Sequence, residues 1–105
     1  MKSTEGKLQA EIVQYLQSKG IFFFSVANEA AGRSAVAQMQ LIAMGLRAGA
    51  SDLVVVQLGM VTFLEIKAPD GKQSPAQEKF QKKVESLGYS YHIARSIADV
   101  ETIFT

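Results

Sequence analysis

The sequence has no cysteine and only one histidine, His92. The missing thiols exclude a disulfide framework and every zinc or iron–sulfur site with cysteine ligands. A single histidine excludes zinc sites built on two or more imidazoles. No apolar run approaches the ~20 residues that span a bilayer. The first residues, Met1-Lys2-Ser3-Thr4-Glu5, turn polar and acidic at once, which is not a signal-peptide pattern. The expectation is a soluble cytoplasmic protein, bacterial or in a phage-infected host, with no membrane partner. Excess charge of one sign is also lacking: 11 Lys+Arg face 10 Asp+Glu, a net +1. A nucleic-acid partner must therefore be argued from where the charges sit. Over 105 residues, 48% are hydrophobic and 20% charged, the balance of one globular domain spanning 1–105. The chain shows no repeat, low-complexity tract or linker.

Local patterns alternate between helix and strand. From Glu5 to Lys19, Leu8, Ile12, Tyr15 and Leu16 share a helical face, with Thr4 placed as N-cap and Gly20 as terminator. Ile21-Phe22-Phe23-Phe24-Ser25-Val26 reads as a strand. The polar stretch Asn28 to Arg33 reads as a loop. Ser34 to Leu46 follows as a second helix, with Val36, Met39, Ile42 or Ala43, and Leu46 at helical spacing. Residues 53–57 and 61–67 form a hairpin around Leu58-Gly59-Met60. Ala68-Pro69-Asp70-Gly71 is turn chemistry. Ser74-Pro75-Ala76-Gln77 carries three agreeing helix-start signals: an N-cap serine, a proline at the first helical position and a capping-box glutamine. Phe80, Val84 and Leu87 give that helix its apolar stripe, and Gly88 ends it. A strand over 89–94 and a short helix over 96–104 complete an α/β sandwich with a small mixed sheet flanked by helices.

The chemistry concentrates on the second strand of the hairpin. In Val61-Thr62-Phe63-Leu64-Glu65-Ile66-Lys67, Leu64 and Ile66 share one face, while Phe63, Glu65 and Lys67 share the other. A carboxylate and an ammonium on a covered strand are costly unless paired or bound to a metal. Hairpin geometry brings Asp52, at the start of the partner strand, beside the Glu65–Lys67 end. Two adjacent carboxylates repel, which raises one pKa unless a hard cation sits between them. Mg²⁺ suits such a pair, because it binds a few carboxylate oxygens and keeps several waters.

Asp52, then Glu65-Ile66-Lys67, resembles the D…ExK pattern of the PD-(D/E)xK nuclease superfamily. The wider text is similar to a stand-alone VRR-NUC (virus-type replication-repair nuclease) domain. That text comprises Glu11 in the first helix, Met44-Gly45-Leu46-Arg47-Ala48-Gly49-Ala50-Ser51-Asp52-Leu53, Phe63 to Lys67, and Gly71-Lys72-Gln73-Ser74-Pro75-Ala76-Gln77. The resemblance covers nearly the whole chain. One departure is Ser51, where the family often has proline. The resemblance implies a restriction-endonuclease-like αβββαβ core and hydrolysis of DNA phosphodiesters with Mg²⁺ or Mn²⁺, a 3′-hydroxyl leaving. It implies Asp52, Glu65 and the Ile66 backbone carbonyl as metal ligands, with Lys67 as the catalytic lysine. Glu11 would touch the metal or its water, and Gln77 would orient water or phosphate. It also implies a homodimer acting on branched DNA such as flaps or Holliday (four-way) junctions, in phage or mobile-element replication and repair.

Candidate DNA contacts are Arg33, Arg47, Lys72 and Lys79, placed on two sides of the carboxylates so that a phosphate backbone runs between them. Lys82 and Lys83 read as a solvated helix face. No base-reading motif is present, which favours recognition by shape. The apolar breadth of the second helix and the run Phe22-Phe23-Phe24 exceed what a small domain buries, which also favours a dimer. His92, out of phase with Tyr91 and Ile93, reads as a strand-surface residue. A second functional reading is a non-catalytic nucleic-acid-binding domain of the same fold.

Overall fold

The structure, a computed structural model, describes residues 3–26 and 34–104. Its elements run α1 (Ser3–Ser18), β1 (Phe22–Ser25), α2 (Ala35–Ala43), β2 (Leu53–Gln57), β3 (Met60–Ile66), α3 (Pro75–Ser86), β4 (Ser90–Ala94) and α4 (Ile97–Ile103). The α/β class and the element order match the expectation. One cap does not. Helix α1 already includes Ser3, so Thr4 lies within its first turn rather than capping it.

The sheet order is β1-β2-β3-β4. Antiparallel pairing joins β1 to β2 and β2 to β3, and parallel pairing joins β3 to β4 through α3. The β2–β3 turn is tight, with Gln57 opposite Met60 and Gly59 at φ +70°. On one face of the sheet, Leu53, Val55, Leu64, Ile66 and Ala94 pack against Ile12 and Leu16 of α1 and Val100 of α4 to form the buried core. Alternation sends Val54 and Phe63 to the other face. There Phe63 meets Phe80 of α3 edge-on at 5.8 Å, and Phe80 lies 6.3 Å from Tyr91. Burial plus these ring contacts fixes α3 over β3 and β4.

All three expected helix-start signals on α3 are present, with Pro75 in its first turn. The Ser74 hydroxyl accepts from the Gln77 N–H, and the Gln77 side-chain oxygen accepts from the Ser74 N–H at 2.8 Å. Helix α2 is different. Ser34 caps it as expected, but none of its residues is buried: Val36, Met39 and Ile42 are exposed. On β1, Phe23 packs against the core while Phe22 and Phe24 remain exposed on the α3 side of the sheet. Thus one face is covered by α1 and α4, and the other over β3, β4 and Val54 of β2, with Phe22 and Phe24 of β1 left open.

Candidate active site

The site forms where the β2–β3 ladder runs out. Leu53 pairs with Leu64, so the next positions, Asp52 and Glu65, stand opposite each other on the face that α3 covers. Asp52 is held from both sides. Its carbonyl accepts from the Val26 N–H at 3.0 Å, which ties its backbone to the β1 side. Its Oδ2 accepts from the Ile66 N–H at 2.8 Å across on β3. Ser51, buried, donates its hydroxyl to the Leu53 carbonyl at 3.1 Å and fixes the chain just before the aspartate.

Glu65 is 2% exposed. Its Oε2 accepts from the Gln77 side-chain amide at 3.0 Å and lies 3.9 Å from Lys67 Nζ. Its Oε1 is buried with no hydrogen-bond donor. Burial is the largest influence on this carboxyl. With the nearby Asp52 charge it pushes the pKa up to about 8, against the opposing pull of Lys67. Asp52 is also raised, mainly by burial, and the Ile66 N–H restrains the shift. Tyr91, in the field of both carboxylates, is pushed up to about 12, again chiefly by burial. A half-buried and a buried carboxyl group are thus held side by side, at a cost, and Glu65 Oε1 has no partner among the described residues.

Helix α3 is brought to this pair by a close approach. Gly49, at φ +81°, lies against the first turn of α3, where a Cβ would collide with the Ala76 carbonyl. This contact seats Gln77 beside Glu65 without disturbing its capping-box role. The strand exit is tied down as well. Arg95 donates to the carbonyls of Ala68 at 2.8 Å and Gly71 at 2.7 Å. Lys67 N–H donates to the Ala94 carbonyl at 3.1 Å, prolonging the β3–β4 ladder.

Asp52, Glu65, Ile66, Lys67 and Gln77 therefore converge as expected from the sequence. Glu11 does not join them: it is exposed on α1. The α1 carboxylate at the site is Glu5, whose Oε2 accepts from the Ala68 N–H at 3.3 Å and whose charge acts on both Asp52 and Glu65. The reason is helical phase. Glu5 stands seven and eleven residues before Ile12 and Leu16, on the stripe that faces the sheet, whereas Glu11 neighbours that stripe from outside. The spacing to the two fully buried residues would have pointed to Glu5. Among the described residues no group of three or more acidic or histidine side chains stands at ligand spacing, so the centre is a carboxylate pair with Glu5 in its field.

Arg47 and Lys79 line a cavity beside α3, whereas Lys72 does not. Arg33 lies outside the described residues. His92 is exposed, as expected.

No family model and no curated protein matches the chain. Solved structures do. A structure described as "VRR_NUC domain" aligns over 97% of this chain and 95% of its own, with a TM-score of 0.69 and 22% identity. A second, described as "VRR_NUC domain protein", aligns over 98% of this chain and 86% of its own, with a TM-score of 0.77 and 17% identity. The fold is that of a VRR-NUC domain. Within this VRR-NUC fold, the strand that carries Glu65 and the loop that carries Asp52 are the places where the sheet ladder opens. Besides Glu5, Arg95 escaped the sequence reading, because its role is to bind main-chain carbonyls, which leave no trace in residue types.

Proposed function

We propose that the chain acts as a single nuclease domain, a metal-dependent, structure-selective DNA endonuclease. The observation that carries this reading is the pairing of half-buried Asp52 with buried Glu65, whose Oε1 has no hydrogen-bond partner among the described residues, with Lys67 3.9 Å from its Oε2. A divalent cation fits that donor set: hard oxygens, two carboxylates, and a charge that relieves their repulsion. Asp52 and Glu65 would hold Mg²⁺ or Mn²⁺. The Ile66 carbonyl is a further donor, since a strand residue directs its N–H and C=O to the same flank and the Ile66 N–H faces Asp52. When bound, the ion supplies Lewis-acid activation for hydrolysis.

The chain's own residues supply the rest. Lys67, 9% exposed, is poised to neutralise charge that builds on the phosphate oxygens as water adds to phosphorus and the bond to the 3′-oxygen breaks. Gln77 orients the Glu65 carboxyl and offers an amide to water or phosphate at a helix N-terminus, itself an anion-favouring place. Glu5 adds negative charge on the flank opposite α3 and ties down the Ala68 amide.

Exposed Phe22, Phe24, Val36, Met39 and Ile42 support a homodimer in which a second copy covers the open half of the sheet and α2. Two such sites suit branched DNA with two strands to cut. No helix among the described residues is long and apolar enough to cross a membrane.

The test is incubation of the purified chain with linear duplex, flap and four-way-junction DNA, with Mg²⁺, with Mn²⁺ and with chelator. Metal-dependent cutting that is stronger on branched substrates, and lost in Lys67→Ala and Asp52→Asn, is the expected result. Salt-sensitive binding without cutting of any substrate would replace it with the binding-only reading.

A further inference from the structure

Arg47, Lys79, Lys82 and Lys83 line one cavity of about 690 Å³ between α3 and the loop before β2. Three of these cations stand at i, i+3 and i+4 on a single turn of α3, and Arg47 faces them. No carboxylate lines the cavity. Glu78 and Glu85 of α3 stand four residues before and three after Lys82, but among the described residues the only ion pair is Lys67 with Glu65, so none of these four cations is held in one. In a chain of net charge +1 that is a concentrated positive site.

Its shape narrows the ligand. The volume falls within the ~300–1,000 Å³ of pockets that enclose a small molecule. A space of that volume, roughly 9 Å on a side, takes one or two nucleotides, whereas a duplex, broader than its own major groove of about 12 Å, does not enter. The lining is also partly apolar, from Ala76 and Phe80. Cations that follow a backbone, combined with an apolar wall for sugar and base, suit a single strand. The position is informative too. Ala76 lines the cavity, and the next residue, Gln77, donates to Glu65.

We propose that this trough is a single-strand subsite that holds one or two unpaired nucleotides next to the carboxylate pair. Duplex DNA would lie outside it. The role assigned to the held strand, presenting a flap or junction arm to the cut, rests on the nuclease reading. Binding itself does not need cleavage. Lys82 and Lys83, which the sequence places on a merely solvated face, become strand contacts.

The experiment titrates a labelled ten-residue oligothymidylate, and separately a blunt duplex, into the full chain in chelator at about 50–200 mM salt. Lys82→Gln/Lys83→Gln is compared with Lys7→Gln/Lys19→Gln, which removes the same charge from α1. Circular dichroism melts establish that both variants fold. The trough variant is expected to bind the oligonucleotide at least about five-fold more weakly. Its salt slope should fall by about 1.4, at ~0.7 for each lost single-strand contact. The α1 variant, and the trough variant on blunt duplex, should change less than about two-fold. Absent oligonucleotide binding by the wild type, equal losses in both double variants, or an equal loss on duplex would each overturn the proposal. The same proteins are then assayed on flap DNA with Mg²⁺. If nothing cuts while binding still depends on the trough, the nuclease reading fails and the subsite stands. If the wild type cuts and the trough variant binds and cuts unchanged, the subsite alone fails.

Discussion

The Asp52 carboxylate accepts the Ile66 N–H at 2.8 Å, closing the β2–β3 ladder with a side chain where a backbone carbonyl would otherwise serve. Asparagine can make the same bond and carries no charge to repel Glu65. Asp52→Asn is therefore expected to melt at or above the wild-type temperature in chelator, while Asp52→Ala leaves the Ile66 amide without its partner. An unsatisfied amide costs about 1–3 kcal/mol, and a domain of this size loses roughly 4–8 °C per kcal/mol. Thermal melts of the two variants check the difference. Equal destabilisation by both would mean that charge, rather than the hydrogen bond, holds this corner.

Glu65 provides a pH test. Its folded pKa, about 8, lies above the ordinary glutamate value, so the folded state holds a proton that the unfolded state has released. Between about pH 5 and 8 the native state binds more protons, and stability must fall as pH rises through that window. The slope is at most about 1.4 kcal/mol per pH unit for one group. Denaturant titrations of the metal-free protein at pH 5.5, 7 and 8.5 should show the decline. Glu65→Gln should flatten it, and added Mg²⁺ should stabilise most at the alkaline end, where the carboxylate is ionised.

Gly49 links the aspartate loop to α3. Its φ of +81° disfavours any side chain, and the Ala76 carbonyl occupies the place of a Cβ. Gly49→Ala must push α3 away from the loop, which separates Gln77 from Glu65. The expected result is a loss of about 2 kcal/mol or more, from backbone strain and displaced packing. Cleavage should fall beyond what the melting temperature explains. Gly59→Ala serves as a control, since its φ is also positive but nothing lies within 4 Å of the added methyl.

The parts of the molecule legible from sequence are those set by short-range rules. Ser74, Pro75 and Gln77 announce α3 because capping uses fixed offsets. The alternation of Leu64 and Ile66 against Phe63 and Glu65 places the carboxylate on the α3 face because strand period is invariant. The contact of Gly49 with Ala76 is not legible in the sequence, since 27 positions separate them and only the fold joins them. The apolar stripe of α2 gives the helix, and its breadth the excess over what the chain buries, but periodicity reports a face that needs a cover without naming the cover.

Arg95 tests whether the turn after β3 needs a clamp. One guanidinium nitrogen of Arg95 reaches the carbonyls of Ala68 and Gly71, at 2.8 and 2.7 Å. Hydrogen bonds from a charged donor are worth about 1.5–3 kcal/mol each, and methionine fills similar space without making them. Arg95→Met should destabilise by about 2 kcal/mol and speed amide exchange at Gly71, whose N–H donates to the Ala68 carbonyl within the same turn. Unchanged exchange at Gly71 would assign Arg95 to the surface.

The two glutamates of α1 make the sharpest comparison. Glu11 carries the resemblance in the sequence but is exposed, whereas Glu5 accepts the Ala68 N–H and acts on the carboxyls of both Asp52 and Glu65. If the helix carboxylate contributes to holding the cation, the contribution comes from Glu5. Glu5→Gln keeps an acceptor for the Ala68 amide and removes the charge. It should weaken Mn²⁺ binding, read by paramagnetic relaxation or calorimetry, and lower cleavage at least ten-fold, about 1.4 kcal/mol in transition-state stabilisation. Glu11→Gln should leave both within about two-fold. Glu5 lies in the first turn of α1, so each variant is also melted, and the activity loss counts only beyond any loss of folded protein. A reversed pattern, with Glu11 the sensitive position, would require α1 to rotate by about a third of a turn and to slide by about 9 Å along its axis. That would take Ile12 and Leu16 out of the core, which their complete burial opposes.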